Sequence, residues 1–292
     1  MIRRQTDHPI LAGPRAASAR RGTLWLFRVQ LTRAGAIETL FARFDRRLRD
    51  AGRLAPRRSA DRRCFADEAC ALLRLGGQIV DATVVEALRP RPKGEEKAVV
   101  KGGGTPKGWS KAKAAPIDRD GRWTLKRGRK RPPKTNERVA TALVVPAFGY
   151  KHHGTIDRRH GFVRRYRVTH AAAHYGAQLA AVLDPDNTDS VWADTAHRSK
   201  ENLAMLARRG RVGRRQRPKP RGKPRAPNVR RGHARRATVR VAVDHVFAVQ
   251  KRRRGLVVRT IGKARAEAEL GLANLVTNML RRAWFETRPA PA

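Results

Sequence analysis

The sequence predicts a mixed α/β fold, and three patterns predict it. Gly77-Gln78-Ile79-Val80-Asp81-Ala82-Thr83-Val84-Val85 is a short, almost continuous apolar run rich in Val and Ile, as a strand buried on both faces requires. Tyr150–Asp157 and Phe162–Thr169 form two further runs, joined by Arg158-Arg159-His160-Gly161, a hairpin with Gly in the turn. Apolar residues at three- and four-residue steps mark helices on either side, Ile37, Leu40, Phe41, Phe44 and Leu48 before these runs and Val239, Val243, Val246, Phe247 and Gln250 after them.

In chain order, residues 1–22 are rich in Arg, Ala and Gly without apolar period, a basic and poorly ordered leader. The first amphipathic helix ends near Gly52, and residues 23–75 form a helical N-terminal portion. Residues 76–255 read as the central domain, and residues 256–292 as a helical C-terminal segment. Two basic stretches interrupt the central part. Residues 87–138, rich in Pro, Gly and Lys, are expected to form a long nucleic-acid-contacting loop. Residues 208–236 carry 14 Lys or Arg, four Pro and no acid, and read as a second basic loop, either solvated or phosphate-binding. Ala171–Leu183 is expected to be helical with Ala173, Ala177, Ala180 and Ala181 inward. Asp184-Pro185-Asp186-Asn187 breaks it before a second short apolar strand, Val191–Ala196. Ser199 can cap a helix bearing Leu203, Met205 and Leu206. The last helix carries Leu272, Leu275, Val276 and Met279, with Trp284 packing back beyond it.

Composition narrows the function. Lys and Arg number 67 against 24 acidic residues, a net charge of +43, and such an excess opposes compaction unless polyanions neutralise it. Nucleic acid is the implied partner. No window approaches the ~20 apolar residues of a spanning helix, so no membrane role is expected. The two cysteines, Cys64 and Cys70, make neither a disulfide framework nor a zinc knuckle and read as reduced thiols. His152, His153, His160, His170 and His174 lack metal-ligand spacing and are expected at the surface or against phosphate. Trp109 and Trp123 could stack on a base or pin the basic stretch to the core.

Each short apolar strand holds one central aspartate, Asp81 and Asp194, and a buried carboxylate needs a cation beside it. A third acid, Asp244, shares a helix face with Arg240 and Lys251, at offsets of one and two turns. That face also describes a plain intrahelical ion pair, worth ~0.3–0.5 kcal/mol. Three converging carboxylates would instead suit two divalent ions clamping the oxygens of a phosphodiester, ~3.5–4 Å apart. Spacing leaves the choice open.

Gly77–Val85, Phe148-Gly149-Tyr150-Lys151, Ile156–Gly161, Val191–Ala196, Arg259-Thr260-Ile261-Gly262 and Gly271–Leu275 resemble motifs of bacterial insertion-sequence transposases of the DDE type, nearest the insertion sequence five family. The resemblance covers roughly residues 23–52 and 76–286. It implies a ribonuclease-H-like mixed sheet with flanking helices, and Mg²⁺-dependent strand cleavage and joining, Mn²⁺ being a possible substitute. By position, Asp81 and Asp194 correspond to the first two catalytic, metal-binding acids. Asp244 stands where the family has glutamate, with Arg240 and Lys251 as phosphate-gripping neighbours and Lys151, Arg158 and Arg159 as further DNA contacts. Implied partners are double-stranded DNA at transposon ends and target, with a homo-oligomer on DNA, in the cytoplasm at the nucleoid. His170 and Tyr175 replace usual aspartates, and His197 a usual tyrosine. The family's N-terminal DNA-binding helical region is not found before Thr23, and residues 55–75 read as an insertion. The alternatives are a truncated or degenerate DNA-binding copy without activity, and a basic structural or RNA-binding protein with no active site.

Overall fold

A computed structural model of the chain describes residues 21–50, 76–127, 144–187, 189–215 and 226–287. Its centre is a six-stranded mixed sheet made of β1 (Gln78–Glu86), β2 (Arg122–Arg127), β3 (Val144–Asp157), β4 (Val163–His170), β5 (Val191–Ala193) and β6 (Gly213–Arg215). The order is β2-β3-β1-β5-β6, and β4 pairs with β3 beside that path. β1 runs antiparallel to β3, with Asp81 opposite Gly154, and parallel to β5, with Ile79 beside Trp192.

β1 carries apolar residues on both faces, at Ile79, Val80, Val84 and Val85, because other elements pack on both sides of it. Val80 packs with Leu179, Val182, Leu183, Val191, Ala193 and Leu206 on one side. Ile79 packs with Ile156, Val163, Val243 and Phe247 on the other. The β3–β4 hairpin turns on Asp157, whose carboxylate accepts from the backbone N–H groups of His160 at 2.6 Å and Phe162 at 2.8 Å. Gly149 has φ of 148°, and a Cβ there would overlap the Val85 carbonyl oxygen, so the β1–β3 approach requires glycine.

The helices are α1 (Arg21–Arg33), α2 (Ala36–Asp50), α3 (Glu96–Lys101), α4 (Lys111–Ala114), α5 (Leu179–Val182), α6 (Lys200–Arg208), α7 (Pro227–Ala248) and α8 (Lys263–Glu286). Leu48 and Phe44 of α2 meet Phe162 of the hairpin and Phe285 of α8, tying both ends of the described chain to the sheet. Arg164 of β4 adds a buried ion pair to Asp184 at 2.9 Å and another to Asp45 of α2.

Several expectations change. Residues 87–138 are not a bare loop, since they contain α3, α4 and β2, with 128–138 outside the described residues. β2 pairs along the first half of β3, and Trp123 packs on Phe148 with ring centroids 5.5 Å apart. A waiting strand edge and an aromatic pocket override local composition. Of residues 208–236, 213–215 are β6 and 227–236 are the first turns of α7, which starts on Pro227 at its N-terminal position; residues 216–225 lie outside the described set.

In the 171–183 stretch only a 3₁₀ turn, Tyr175–Gln178, and α5 are helical. Gly176, Leu179 and Val182 face inward there, while Ala177, Ala180 and Ala181 are exposed. Half of the expected apolar stripe of α8 faces outward, Leu272 and Leu275 staying half-buried. Val276 and Met279 are 42% and 53% exposed, and the buried side is Ala266, Leu270, Gly271, Asn274, Thr277 and Asn278. Small and polar residues face the sheet because α8 lies so close to β4 that a Cβ on Gly271 would overlap Tyr166. Phe285, not Trp284, packs back into the core. Helix α1 falls in the N-terminal stretch read as helical, as a helix separate from the amphipathic α2. The leader up to residue 20 and the suggested insertion 55–75 with its cysteines lie outside the described residues.

Candidate active site

Side chains alternate along β1, so Ile79, Asp81, Thr83 and Val85 share the face covered by α7. Asp81 is 8% exposed. One carboxylate oxygen, Oδ1, accepts from the Ala82 backbone N–H at 2.8 Å, and Oδ2 accepts from Arg240 Nη2 at 2.8 Å. Extending the parallel register two residues beyond Ile79 and Trp192 brings Asp194 abreast of Asp81, on a strand ~4.8 Å away. Asp194 directly follows β5 and caps the 3₁₀ turn Thr195–His197, its Oδ1 accepting from Ala196 N at 2.6 Å and Thr195 Oγ1 at 3.0 Å.

Asp244 lies one turn beyond Arg240 on α7, at the open rim of the pocket, with its carboxyl turned toward Asp81. Burial of that carboxyl, then the Asp81 charge, holds its proton above the usual carboxylate range. Arg240 opposes the shift, while a hydrogen bond to Asp81 and the charge of Asp194 add to it. The like charges of Asp81 and Asp194 thus add to burial in raising this carboxyl, and Arg240 offsets them only in part. Thus Asp81 and Asp194 lie on one face of the sheet, and Asp244, on the helix over that face, is within electrostatic reach of both.

Among the described residues, no three His, Cys, Asp or Glu side chains stand close enough together to hold a metal ion. Carboxylate oxygens are nevertheless the donors a hard divalent ion takes, and the charges of Asp81 and Asp194 both reach Asp244. The Arg240 guanidinium holds the counter-charge position, with its Nε buried and without a hydrogen-bond acceptor.

Lys251 follows α7 and donates from Nζ to Thr83 Oγ1, two residues along β1 from Asp81. Burial, reinforced by Lys126 and opposed by Glu86, lowers its pKa to about 8. Thr83 was not anticipated, though its place two residues after Asp81 on a strand was signal enough. Tyr175 and His197 also border the carboxylates, with ring centroids 5.5 Å apart. Burial and then the charges of Asp194 and Asp81 raise the Tyr175 phenol. Burial lowers His197, against the pull of the same two aspartates.

Other predicted contacts lie elsewhere. Lys151 stands opposite Val84, on the other face of the sheet; it is 9% exposed and donates to the Ala173 carbonyl, with Tyr175 5.3 Å below its amine. It is therefore not open to a phosphate on the Asp81 face. Arg158 and Arg159 sit in the hairpin turn, level with Gly77 and Gly76, four and five residues before Asp81 or ~13–16 Å, and Arg158 stacks on Trp192 at 5.2 Å. His152 and His153 are buried rather than at the surface, because β3 is covered on both faces. Burial first, then nearby cations, lowers each to about 3, so both are neutral. Trp109 donates to Glu96 at 2.6 Å and Trp123 packs in the core, so both rings serve the protein itself. Asp118 is likewise structural, accepting from the Tyr150 hydroxyl at 2.7 Å.

A protein-family model described as Transposase DDE domain matches residues 74–279, a span that contains all three aspartates, Arg240 and Lys251. No curated protein and no solved structure matches the chain.

Proposed function

The chain belongs to the transposase DDE-domain family, and from that premise we propose that it cuts and joins DNA at the ends of an insertion sequence, on a ribonuclease-H-like fold. The observation that carries the proposal is that Asp81 and Asp194 lie on one sheet face beside Arg240, with Asp244 within electrostatic reach of both. Asp81, Asp194 and Asp244 would together hold the Mg²⁺. When bound, the ions supply charge neutralisation at the phosphodiester and a nucleophile usable at neutral pH.

The protein's own groups do the rest. Asp81, from the rigid centre of the sheet, fixes the pocket's position. Asp194 is preoriented by the Ala196 N–H, and Asp244 sits at the lip where DNA enters. Arg240 neutralises Asp81 and can turn to an incoming phosphate, for which a guanidinium has matching donor geometry. Lys251 adds a point charge two residues along the same strand. In the first reaction water attacks phosphorus and the 3′-oxygen leaves as a hydroxyl. In the second that hydroxyl attacks a target phosphodiester, and one bond forms as one breaks.

A second reading, a DNA-binding copy without cleavage, draws on Asp244 standing where the family has glutamate. Aspartate is one bond shorter, ~1.5 Å, and a misplacement near 1 Å can lower a rate ~100-fold. One experiment separates the two. Purified protein is mixed with supercoiled plasmid carrying the DNA that flanks this gene, with and without Mg²⁺. Nicking that needs Mg²⁺ and vanishes in Asp81→Ala, with DNA retention unchanged, supports cleavage. Salt-sensitive retention without any nicking supports the second reading.

A further inference from the structure

The helix that presents Arg240 and Asp244 does not continue as an α-helix to Lys251. At Val249–Arg253 it widens into a π turn, and Lys251 lies within it. Wide turns of this kind are rare and concentrate where a side chain has to be aimed. Something must hold this one open.

Gln250, the residue before Lys251, is 1% exposed. Its Nε2 donates to Asn274 Oδ1 and to Thr277 Oγ1, both at 3.0 Å, on the inner face of α8. Asn274 Nδ2 in turn reaches His152 Nε2 at 3.0 Å. His152 stands directly opposite Thr83 in the β1–β3 ladder, and Thr83 receives the Lys251 amine. The chain of contacts therefore closes on the point at which Lys251 is aimed.

The backbone is held at the same place. Leu256 N–H donates to the Gln250 carbonyl at 3.1 Å, and Arg254 N–H to that of Val249 at 3.2 Å, while Arg254 Nη1 shares Thr277 Oγ1 at 2.8 Å. A buried amide that loses its partners is costly, so Gln250 has one conformation available and the turn has one register. The polar inner face of α8, which the sequence did not lead us to expect, thereby acquires a reason.

We propose that Gln250 is a positioning residue: through Asn274 and His152 it fixes the π turn and so aims Lys251 at Thr83, beside the aspartate pocket. The inference rests on Lys251 gripping a DNA phosphate. Without the Gln250 anchor the turn is free to return to α geometry, which swings Lys251 off Thr83 and out of reach of the strand.

The test uses the full chain with Gln250→Met, Lys251→Ala and the double substitution, bound to a 40-base-pair duplex over a range of NaCl concentrations. Loss of one phosphate contact lowers the slope of log affinity against log salt by about 0.9. The expected result is that decrement in each single variant and no further decrement in the double. Thermal unfolding is followed alongside. A merely structural Gln250 lowers the melting temperature but leaves the salt slope unchanged, or adds independently to Lys251→Ala, and either result overturns the inference. If Lys251→Ala itself leaves the slope unchanged, the inference falls together with its premise about Lys251. If both slopes fall as expected while Mg²⁺ nicking is absent, the positioning role stands and the cleavage reading fails. Asn274→Leu cuts the same chain one link further on, and carries the same expectation should Gln250→Met not fold.

Discussion

Replacing Arg240 with methionine tests the aspartate pocket without any need for catalysis. The guanidinium lies 2.8 Å from Asp81, and the two side chains are 15% and 11% exposed. Removing one partner of a buried ion pair costs about 3–5 kcal/mol, because the other charge is stranded. Here the pocket is open at Asp244, and solvent reaching that rim reduces the expected loss to about 2–3 kcal/mol. A divalent cation that binds the folded carboxylates but not the unfolded chain returns RT ln(1 + [L]/Kd), about 2.7 kcal/mol at one hundred times Kd. The cation can therefore replace most of what the arginine supplied. The assay is urea unfolding of wild type, Arg240→Met and Asp81→Asn/Arg240→Met, in EDTA and in millimolar MgCl₂ at matched ionic strength. We expect Arg240→Met to be destabilised in EDTA and largely restored by Mg²⁺, and the double variant to show no Mg²⁺ response. If Mg²⁺ stabilises the double variant as much as the single one, Asp81 is not part of a cation site and the reasoning is wrong.

Three further outcomes follow from the same geometry. Asp244→Glu restores about 1.5 Å of reach and should raise Mg²⁺-dependent nicking by up to ~100-fold, measured as initial rate on supercoiled plasmid; an unchanged or lower rate would show that reach is not limiting. Lys251 titrates near pH 8, and only its charged form holds phosphate, so the affinity difference between wild type and Lys251→Ala should be present at pH 7 and mostly gone at pH 9. His152 and His153 are held near 3 in the fold, against about 6.5 in an unfolded chain. The unfolded state therefore binds more protons below pH 6.5, and stability is full above that value and lost as the pH falls. The two sites together should remove about 4 kcal/mol between pH 7 and pH 5, and urea titrations showing no such loss would mean that these rings are not buried neutral.

The sequence by itself determined the central strands and pointed to the candidate acids. Ile79, Val80 and Val85 around Asp81, and Val191 to Ala193 before Asp194, spell central strands because burial on both faces demands apolar residues at every step, a local and therefore legible requirement. The 3.6-residue period likewise placed Arg240 and Asp244 on one helix face. Local pattern could not decide what each surface meets. Lys151 has the composition of a phosphate contact, yet strand alternation turns it to the far face of the sheet. Basic residues 122–127 become a strand only because β3 offers an edge, and Val276 and Met279 of α8 are exposed because Leu270, Gly271 and Asn274 take the side that faces β4. Convergence of Asp81, Asp194 and Asp244 needs parallel pairing between segments more than a hundred positions apart, together with a helix laid across them. Such long-range geometry is set by the sum of packing contacts and is written in no single window of the chain.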